Sequence, residues 1–252
     1  MTSQPHMLLM ETYLKRLRLP SVAQHYRKLA SQAAQSNLTH EQFLLGLLEQ
    51  EVQSQEENTR KNRIKQASFP LPKTLEQFNF SALPNLNKAL VLKLAQCEYL
   101  NKAENIVLAG NSGTGKSHIA VALGMAACAL SKRVGFYTAA DLVNQLMEAN
   151  AQYRLSRLEF KLNSLDLLIV DELGYLALDE QGVKMLFNVF NNRYERKSTL
   201  VTTNLPFKQW DSIFKDPAMT VALVDRLTHH CHIIEMNGDS YRFKQSLKEK
   251  SA

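Results

Sequence analysis

The sequence predicts an α/β domain with a parallel sheet flanked by helices, preceded by an all-α N-terminal region. Three observations support this prediction. A glycine-rich loop stands between a short apolar run and an Ala- and Leu-rich segment. Strand-like and helix-like segments then alternate towards the C-terminus, which is typical of a parallel sheet with helices on both faces. Residues 1–66 instead carry apolar residues at helical spacing.

Composition places the chain among ordinary globular proteins. Of its 252 residues, 45% are hydrophobic and 21% are charged. There is no apolar run of about 18 residues and no basic segment followed by an apolar core at the N-terminus, so we expect a cytoplasmic protein without membrane contact. The scattered cysteines Cys97, Cys128 and Cys231 indicate reduced core thiols. A net charge of +6 is compatible with a nucleic-acid partner but does not by itself indicate one.

A proline-rich segment divides the chain into two predicted domains. Residues 1–66 form a helical N-terminal domain for DNA or partner binding, residues 67–72 form a linker, and residues 73–252 form the ATPase domain. In the first domain, Pro20 marks the end of one helix, and a second helix covers residues 22 to about 35. Thr39 and Gln42 fit a capping box that starts a third helix.

The second domain is predicted as alternating strands and helices, after a first helix over residues 86–100. The strands are predicted over residues 106–110, 133–138, 165–171, 199–203 and 232–235. The helices are predicted over residues 115–131, 140–151, 181–195, 207–214 and 217–229. A polar connection is predicted between residues 151 and 165.

The glycine-rich loop is Gly110-Asn111-Ser112-Gly113-Thr114-Gly115-Lys116-Ser117 and fits the G-x-x-x-x-G-K-[ST] phosphate-binding pattern. Its glycines let successive backbone N–H groups face the phosphates, and the N-terminus of the next helix adds its positive end. Lys116 would neutralise β- and γ-phosphate oxygens, and the Ser117 hydroxyl would take one position around Mg²⁺. The sequence therefore predicts a site for a nucleoside triphosphate.

A second motif is the apolar strand Leu-Leu-Ile-Val at residues 167–170, which ends in Asp171 and Glu172. Ligands bind at the carboxyl ends of strands in open α/β sheets, so we expect both carboxylates beside the phosphate loop. Asp171 would hold Mg²⁺ through water, and Glu172 would orient and deprotonate the attacking water. The extra strand over residues 133–138 and this glutamate follow the pattern of additional-strand P-loop ATPases. The chain has no Asn-Lys-x-Asp guanine signature, so the predicted nucleotide is ATP.

Three further residues are assigned from resemblance. Asn204 resembles the sensor-1 residue of AAA+ ATPases, although asparagine before Pro206 is also a turn former. Arg226, in the sequence Val-Asp-Arg-Leu, is either part of a helix-surface ion pair or, by resemblance to the AAA+ motif, an arginine finger for a neighbouring subunit's ATP. Arg242 resembles a second nucleotide-sensing arginine of the same family.

The whole chain resembles the IstB-like ATPases, which are AAA+ helper proteins encoded with the transposase in one group of bacterial insertion sequences. The matching segments, besides the helical N-terminal region, are Leu75-Glu76-Gln77-Phe78, the phosphate loop followed by His118-Ile119-Ala120, Asp171-Glu172-Leu173-Gly174-Tyr175, and Asp225-Arg226-Leu227-Thr228-His229-His230. We place His118 among the nucleotide-binding residues. The resemblance implies an AAA+ core without a helical lid, because too few residues follow Arg226 to form one.

The resemblance also implies a homo-oligomer with ATP between its subunits. One subunit would supply Lys116, Ser117, Asp171, Glu172 and Asn204, and the next would supply Arg226. The implied partners are duplex DNA, bound with little sequence specificity, and the cognate transposase, which the oligomer regulates. The alternative is a helicase loader similar to DnaC, which would act on single-stranded DNA and a replicative helicase. The N-terminal region has few aromatic residues for base stacking, which favours duplex DNA.

Several basic residues are candidates for phosphate contacts. They are Arg60, Lys61, Arg63 and Lys65 in the first group, and Lys132, Arg133, Arg193 and Arg196 in the second. The first group has another interpretation, because cations also suit the C-terminal end of a solvated helix.

The sequence His-His-Cys-His at residues 229–232 could suggest a metal site. Adjacent ligands that lead into a strand would point to opposite faces, and no second ligand pair accompanies them in the sequence. We therefore do not predict a metal cluster there, and Mg²⁺ at Ser117 and Asp171 is the metal that we predict.

Overall fold

The computed structural model describes residues 4–175, 179–214, 216–238 and 240–241, with side chains from His6 onward. The chain divides into two compact units, residues 1–62 and 63–252. Across the described residues, no helix is long and apolar enough to cross a membrane.

The first unit is helical, as predicted. Its helices are α1 (Gln4–Arg16), α2 (Pro20–Gln35) and α3 (His40–Ala67), whose last residues belong to the second unit. The predicted capping box is confirmed, since the Thr39 N–H donates to Gln42 Oε1 at 2.9 Å and the Gln42 N–H donates to Thr39 Oγ1 at 3.2 Å. Pro20 is the first residue of α2, where a proline needs no N–H. The buried Glu51 carboxylate accepts the Val22 N–H at 3.0 Å and so caps this proline-led start.

The second unit contains a five-stranded sheet in the order β2-β3-β4-β1-β5, with every neighbouring pair parallel. The strands are β1 (Asn105–Ala109), β2 (Val134–Thr138), β3 (Leu167–Leu173), β4 (Ser198–Thr203) and β5 (Cys231–Glu235). The predicted parallel sheet is confirmed. Because β4 lies between β1 and β3, the ends of these three strands meet at one edge of the sheet.

Helices cover both faces of this sheet. They are α4 (Lys88–Leu94), α5 (Lys116–Ala129), α6 (Ala139–Ala151), α7 (Leu155–Ser164), α8 (Glu180–Arg193), α9 (Asp211–Phe214) and α10 (Pro217–Thr228). Strand side chains alternate between two cores, so that Ile106 and Leu108 enter one and Val107 enters the other. Helix α5 contributes Ile119 and Leu123 to the first core, and α6, α7, α8 and α10 contribute to the second.

Three segments differ from the prediction. The predicted helix over residues 86–100 ends at Leu94, and Cys97, with a φ of +60°, separates it from a 3₁₀ turn at Glu98–Lys102. The predicted helix over 207–214 is divided into a 3₁₀ turn at Phe207–Gln209 and α9. The predicted polar connection contains α7, whose apolar residues at positions 155, 158 and 162 are spaced to share one face.

Candidate nucleotide-binding site

The glycine-rich loop joins β1 to α5. Gly115 is the N-cap of α5 with a φ of +91°, and a Cβ there would lie 2.7 Å from Cε2 of Phe78. Gly113 has a φ of +80°, and a Cβ there would collide with the Ser240 side chain. Both positions therefore require glycine, because a side chain would meet an unfavourable backbone conformation and a steric clash together.

Side chains of the loop fold back onto its own backbone. The Lys116 ammonium donates hydrogen bonds to the carbonyl oxygens of Gly110 at 2.8 Å and Asn111 at 2.7 Å. The Thr114 hydroxyl donates to the Asn111 carbonyl at 2.9 Å. These bonds hold the lysine beside the concave side of the loop, where anions meet backbone N–H groups at a helix N-terminus.

The Asp171 carboxylate links three elements of the domain. Its Oδ1 accepts hydrogen bonds from Ser117 Oγ at 3.0 Å and from Thr202 Oγ1 at 2.5 Å. The carboxylate is buried, and the three residues belong to β3, α5 and β4. Mg²⁺ prefers oxygen ligands such as hydroxyl and carboxylate groups. Ser117 and Asp171 therefore fit the predicted ion.

A bulge directs Glu172 away from the core. The pairing of β3 with β4 shifts register between Val170 and Leu173, and Glu172 has a φ of +61°. Its N–H donates to Thr202 Oγ1 at 2.9 Å, and its side chain is exposed between two buried neighbours. The bulge therefore turns Glu172 towards the phosphate loop, as such irregularities often re-aim side chains.

These elements surround a cavity of about 300 Å³. Its lining includes loop residues 112–117 together with Glu172, Thr202, Thr203 and Asn204. The exposed Asn204 reaches this cavity because β4 lies between the strand before the loop and the strand of Asp171. The predicted residues Lys116, Ser117, Glu172 and Asn204 thus share one cavity, and Asp171 contacts it through Ser117.

The opposite wall of the cavity is formed by residues that precede β1. They are Lys73, Gln77, Phe78, Asn79, Ala82 and Leu83. His118, which also lines the cavity, contacts the Thr74 carbonyl through Nε2 at 2.9 Å and lies edge-on to the Phe78 ring at 5.2 Å. Since a carbonyl only accepts, the His118 Nε2 carries the proton and donates it. His118 therefore attaches this wall to α5.

A segment after β5 contributes to the site. Sequence reasoning assigned only the following Arg242, by resemblance, and did not identify Tyr241. The Met236 N–H donates to the Ala109 carbonyl at 2.7 Å, and the Tyr241 N–H donates to the Gly113 carbonyl at 3.1 Å. Tyr241 also lines the cavity. Besides the resemblance at Arg242, the sequence signal was the predicted strand β5, whose pairing with β1 leads the chain across the loop.

Of the two remaining predicted arginines, the structure describes only Arg226. Arg226 is on α10, where its guanidinium stands 5.3 Å from the centre of the Phe187 ring and donates to the Ala222 carbonyl at 3.5 Å. It is not one of the described residues that line the cavity. Arg242 lies outside the described residues.

Arg193 was wrongly predicted as a phosphate contact. Its side chain is only 1% exposed, and its guanidinium donates to the carbonyls of Leu162, Leu165 and Ser198 at 2.6–3.1 Å and to Thr199 Oγ1 at 3.2 Å. Burial lowers the pKa of Arg193 to about 9. Because this value is still above neutral pH, the guanidinium stays charged there. Arg193 is a structural cation that satisfies backbone carbonyls at the start of β3 and β4.

The histidines near β5 are divided between two places. His232 pairs with Glu104 at 2.8 Å. His229 and His230 lie beside Glu195, with one potential ligand atom from each within 4.8 Å of the others, and all three side chains are exposed. The expectation that these neighbouring histidines point to opposite faces of a strand is therefore wrong for His229 and His230, because both precede β5.

The sequence of this chain matches a family model and a known protein along nearly its whole length. The family model described as IstB-like ATP binding protein matches residues 12–249. A Pseudomonas aeruginosa protein, named as the ATP-binding protein of insertion sequence IS21, is 36% identical over 239 residues, which cover 95% of this chain and 90% of that protein.

Two solved structures share the fold of this chain over about 70% of its length. AMPPCP-bound DnaA from Aquifex aeolicus aligns with a TM-score of 0.58 and 24% identity, over 72% of this chain and 56% of that chain. The DnaC helicase loader aligns with a TM-score of 0.53 and 19% identity, over 69% of this chain and 98% of that chain. With an AAA+ P-loop fold and a family match along nearly its whole length, the chain belongs to the IstB-like ATP-binding protein family.

Proposed function

We propose that this protein is an ATPase that assembles on duplex DNA and regulates the transposase of an insertion sequence. The observation that carries the ATPase part is one cavity lined by Lys116, Ser117, Glu172 and Asn204, with Asp171 bonded to Ser117. Phosphate-binding, metal-binding and proton-accepting groups are thereby gathered at one edge of the sheet.

Each group has a distinct part in hydrolysis. The Lys116 ammonium would move from its backbone carbonyls to β- and γ-phosphate oxygens. Glu172 would accept a proton from water as the water oxygen bonds to the γ-phosphorus and the bond to ADP breaks. The Asn204 amide would position that water or the γ-phosphate. Arg226 would stabilise the developing charge from a neighbouring subunit, which suits its position outside its own cavity.

Ser117 and Asp171 would hold Mg²⁺, directly and through water respectively. Their oxygen atoms, 3.0 Å apart, belong to the donor types that this ion prefers. The bound ion would neutralise phosphate charge during the transfer.

The DNA and transposase parts are supported by family membership. The relative from Pseudomonas aeruginosa is named for an insertion sequence, and a protein encoded there has a transposase as its natural partner. The net charge of +6 agrees with a DNA partner.

The decisive experiment measures binding to matched duplex and single-stranded DNA with ATP, ADP or no nucleotide, at two salt concentrations. We expect ATP-dependent, salt-sensitive binding to duplex DNA and the formation of large assemblies. The ATP-bound assembly should also retain the transposase encoded by the same element.

A preference for single strands would overturn the duplex assignment and favour a helicase loader. Absence of DNA binding in every nucleotide state would overturn the DNA part altogether, leaving an ATPase that acts on a protein.

A further inference from the structure

The turn between α6 and α7 and the outer side of α7 present two aromatic rings to solvent. Tyr153 is 100% exposed and Phe160 is 77% exposed. Tyr153 also has a φ of +57°, a left-handed conformation that residues other than glycine and asparagine rarely adopt. Neither ring belongs to the cores of the described residues, so packing does not account for them.

Basic side chains accompany the Phe160 ring on one flank of α7, and Arg154 follows Tyr153 in the turn before the helix. Phe160 and Lys161 follow Arg157 by three and four residues, and Arg154 precedes Arg157 by three. Glu159 is two residues from both Arg157 and Lys161 and therefore lies on the opposite flank. The charged residues on the flank that carries Phe160 are thus all cations, although the helix as a whole has charges of both signs.

These cations lack acidic partners within the described parts of the chain. Neither the Arg154 nor the Arg157 side chain makes an ion pair or hydrogen bond there, and the Lys161 ammonium stands 5.9 Å from the centre of the Tyr137 ring. The nearby Arg133, by contrast, pairs with Asp166. An unneutralised cationic strip beside exposed rings is suited to a polyanion with flat faces.

We infer that Tyr153, Arg154, Arg157, Phe160 and Lys161, here called the α7 face, contact duplex DNA. The three cations hold backbone phosphates, and the two rings press against base faces where a step of the duplex is unstacked. This inference rests on the proposed DNA-binding function and specifies its surface. It locates that surface on the ATPase unit rather than on the basic group at residues 60–65.

The test is the affinity of the full-length protein for a fluorescent duplex across a salt series, in the presence of a non-hydrolysable ATP analogue. Arg157→Ala should reduce the slope of log affinity against log salt by about 0.9, because one phosphate contact is lost. Phe160→Ala should weaken binding on the order of tenfold while leaving the slope unchanged. The loss for Phe160→Ala should be larger on a duplex with a mismatched step, where base faces are more accessible.

Two variants serve as controls. Glu159→Gln changes a charge on the opposite flank of the same helix, and Lys184→Ala removes a cation that pairs with Glu180 on α8. Both should keep the parental slope and affinity within about twofold. ATP turnover without DNA and urea unfolding should match the parent for all four variants, because the altered side chains lie outside the cavity and the cores.

The outcomes separate this inference from the function on which it rests. If the parent protein binds duplex DNA and the Arg157 and Phe160 variants bind with the same affinity and slope, the α7 face is not the contact surface and the proposed function stands. If the parent protein binds no DNA, both the α7-face inference and the proposed DNA-binding function fail.

Discussion

The Thr202 hydroxyl donates a hydrogen bond to Asp171 Oδ1 at 2.5 Å, and its Oγ1 accepts a hydrogen bond from the Glu172 N–H at 2.9 Å. One threonine of β4 therefore fixes both the carboxylate proposed to hold Mg²⁺ and the bulge that exposes Glu172. Since Ser117 donates to the same carboxylate oxygen, the network joins the phosphate loop to the centre of the sheet. The position of Glu172 is thus determined by buried hydrogen bonds rather than by its own exposed side chain.

Thr202→Val tests the hydrogen bonds of this network without changing the packing, because valine keeps the shape of the threonine side chain and removes its hydroxyl. The buried Glu172 N–H and Asp171 carboxylate would each lose a partner, which should cost about 1–3 kcal/mol of unfolding free energy. We also expect half-maximal ATP turnover to need more Mg²⁺. Urea unfolding and a Mg²⁺ titration measure the two effects, and Thr202→Ser should restore both. Parental behaviour of Thr202→Val in both assays would show that the hydroxyl is dispensable.

Glu172→Gln tests the choice of proton acceptor. The amide keeps the size of the side chain but cannot accept a proton from water, so turnover should fall by roughly 10²–10⁴-fold. ATP-dependent DNA binding should remain, because the phosphate loop is unchanged. Single-turnover ATP hydrolysis and DNA affinity should be measured on the same preparation. Turnover near the parental rate would assign the base to another residue.

Arg226 provides a test of catalysis between subunits. Arg226→Ala and Lys116→Ala should each lower turnover on the order of 10³-fold, because one lacks the charge at the transition state and the other lacks the phosphate contact. Mixing the two inactive variants should restore about a quarter of parental activity, since a head-to-tail interface can combine an intact loop with an intact arginine. Arg196→Ala, which removes an exposed arginine, should remain active alone. Failure of the mixture to regain activity would place Arg226 outside the catalytic interface.

Much of this site was predictable because its signals are local. The loop pattern, the apolar β1 before it and the apolar α5 after it are contiguous in sequence. Outside the site, the Thr39–Gln42 capping box was predictable for the same reason, because it spans only four residues. Asn204 was assigned by its resemblance to the sensor-1 residue, and its location agrees with the rule that parallel strands meet ligands at their carboxyl ends.

The features that escaped prediction depend on distant parts of the chain. Arg193 looks like a surface cation in sequence, and only the fold brings it the carbonyls of residues 162, 165 and 198. The left-handed Glu172 arises from a bulge whose register is set by β4. Helix α7 was missed because its apolar residues are few and its N-terminus has no capping side chain.

His118 should contribute to ATP affinity more than to the chemical step. Its bond to the Thr74 carbonyl attaches the cavity wall at residues 73–83 to α5, and it does not contact the carboxylates. His118→Ala should therefore raise the ATP KM by about three- to tenfold, the effect of one neutral hydrogen bond, with kcat nearly unchanged. His118→Gln keeps a side-chain hydrogen-bond donor, so its ATP KM should lie between those of the parent and His118→Ala. A fall in kcat at constant KM would instead indicate a role in the transition state.

The cysteines should be protected from alkylation by the fold. Burial raises the pKa of Cys97 and Cys128 to about 11 and that of Cys231 to about 12, so little thiolate exists at neutral pH. Iodoacetamide at about pH 8 should therefore modify the thiols slowly in the native protein and quickly in urea. Because the folded state keeps these protons between about pH 9 and pH 11 while the unfolded state releases them, their contribution to stability should decline as pH rises through that range. Cys128→Ala should reduce this decline in urea titrations, and rapid native alkylation of Cys97 and Cys128 would contradict their burial.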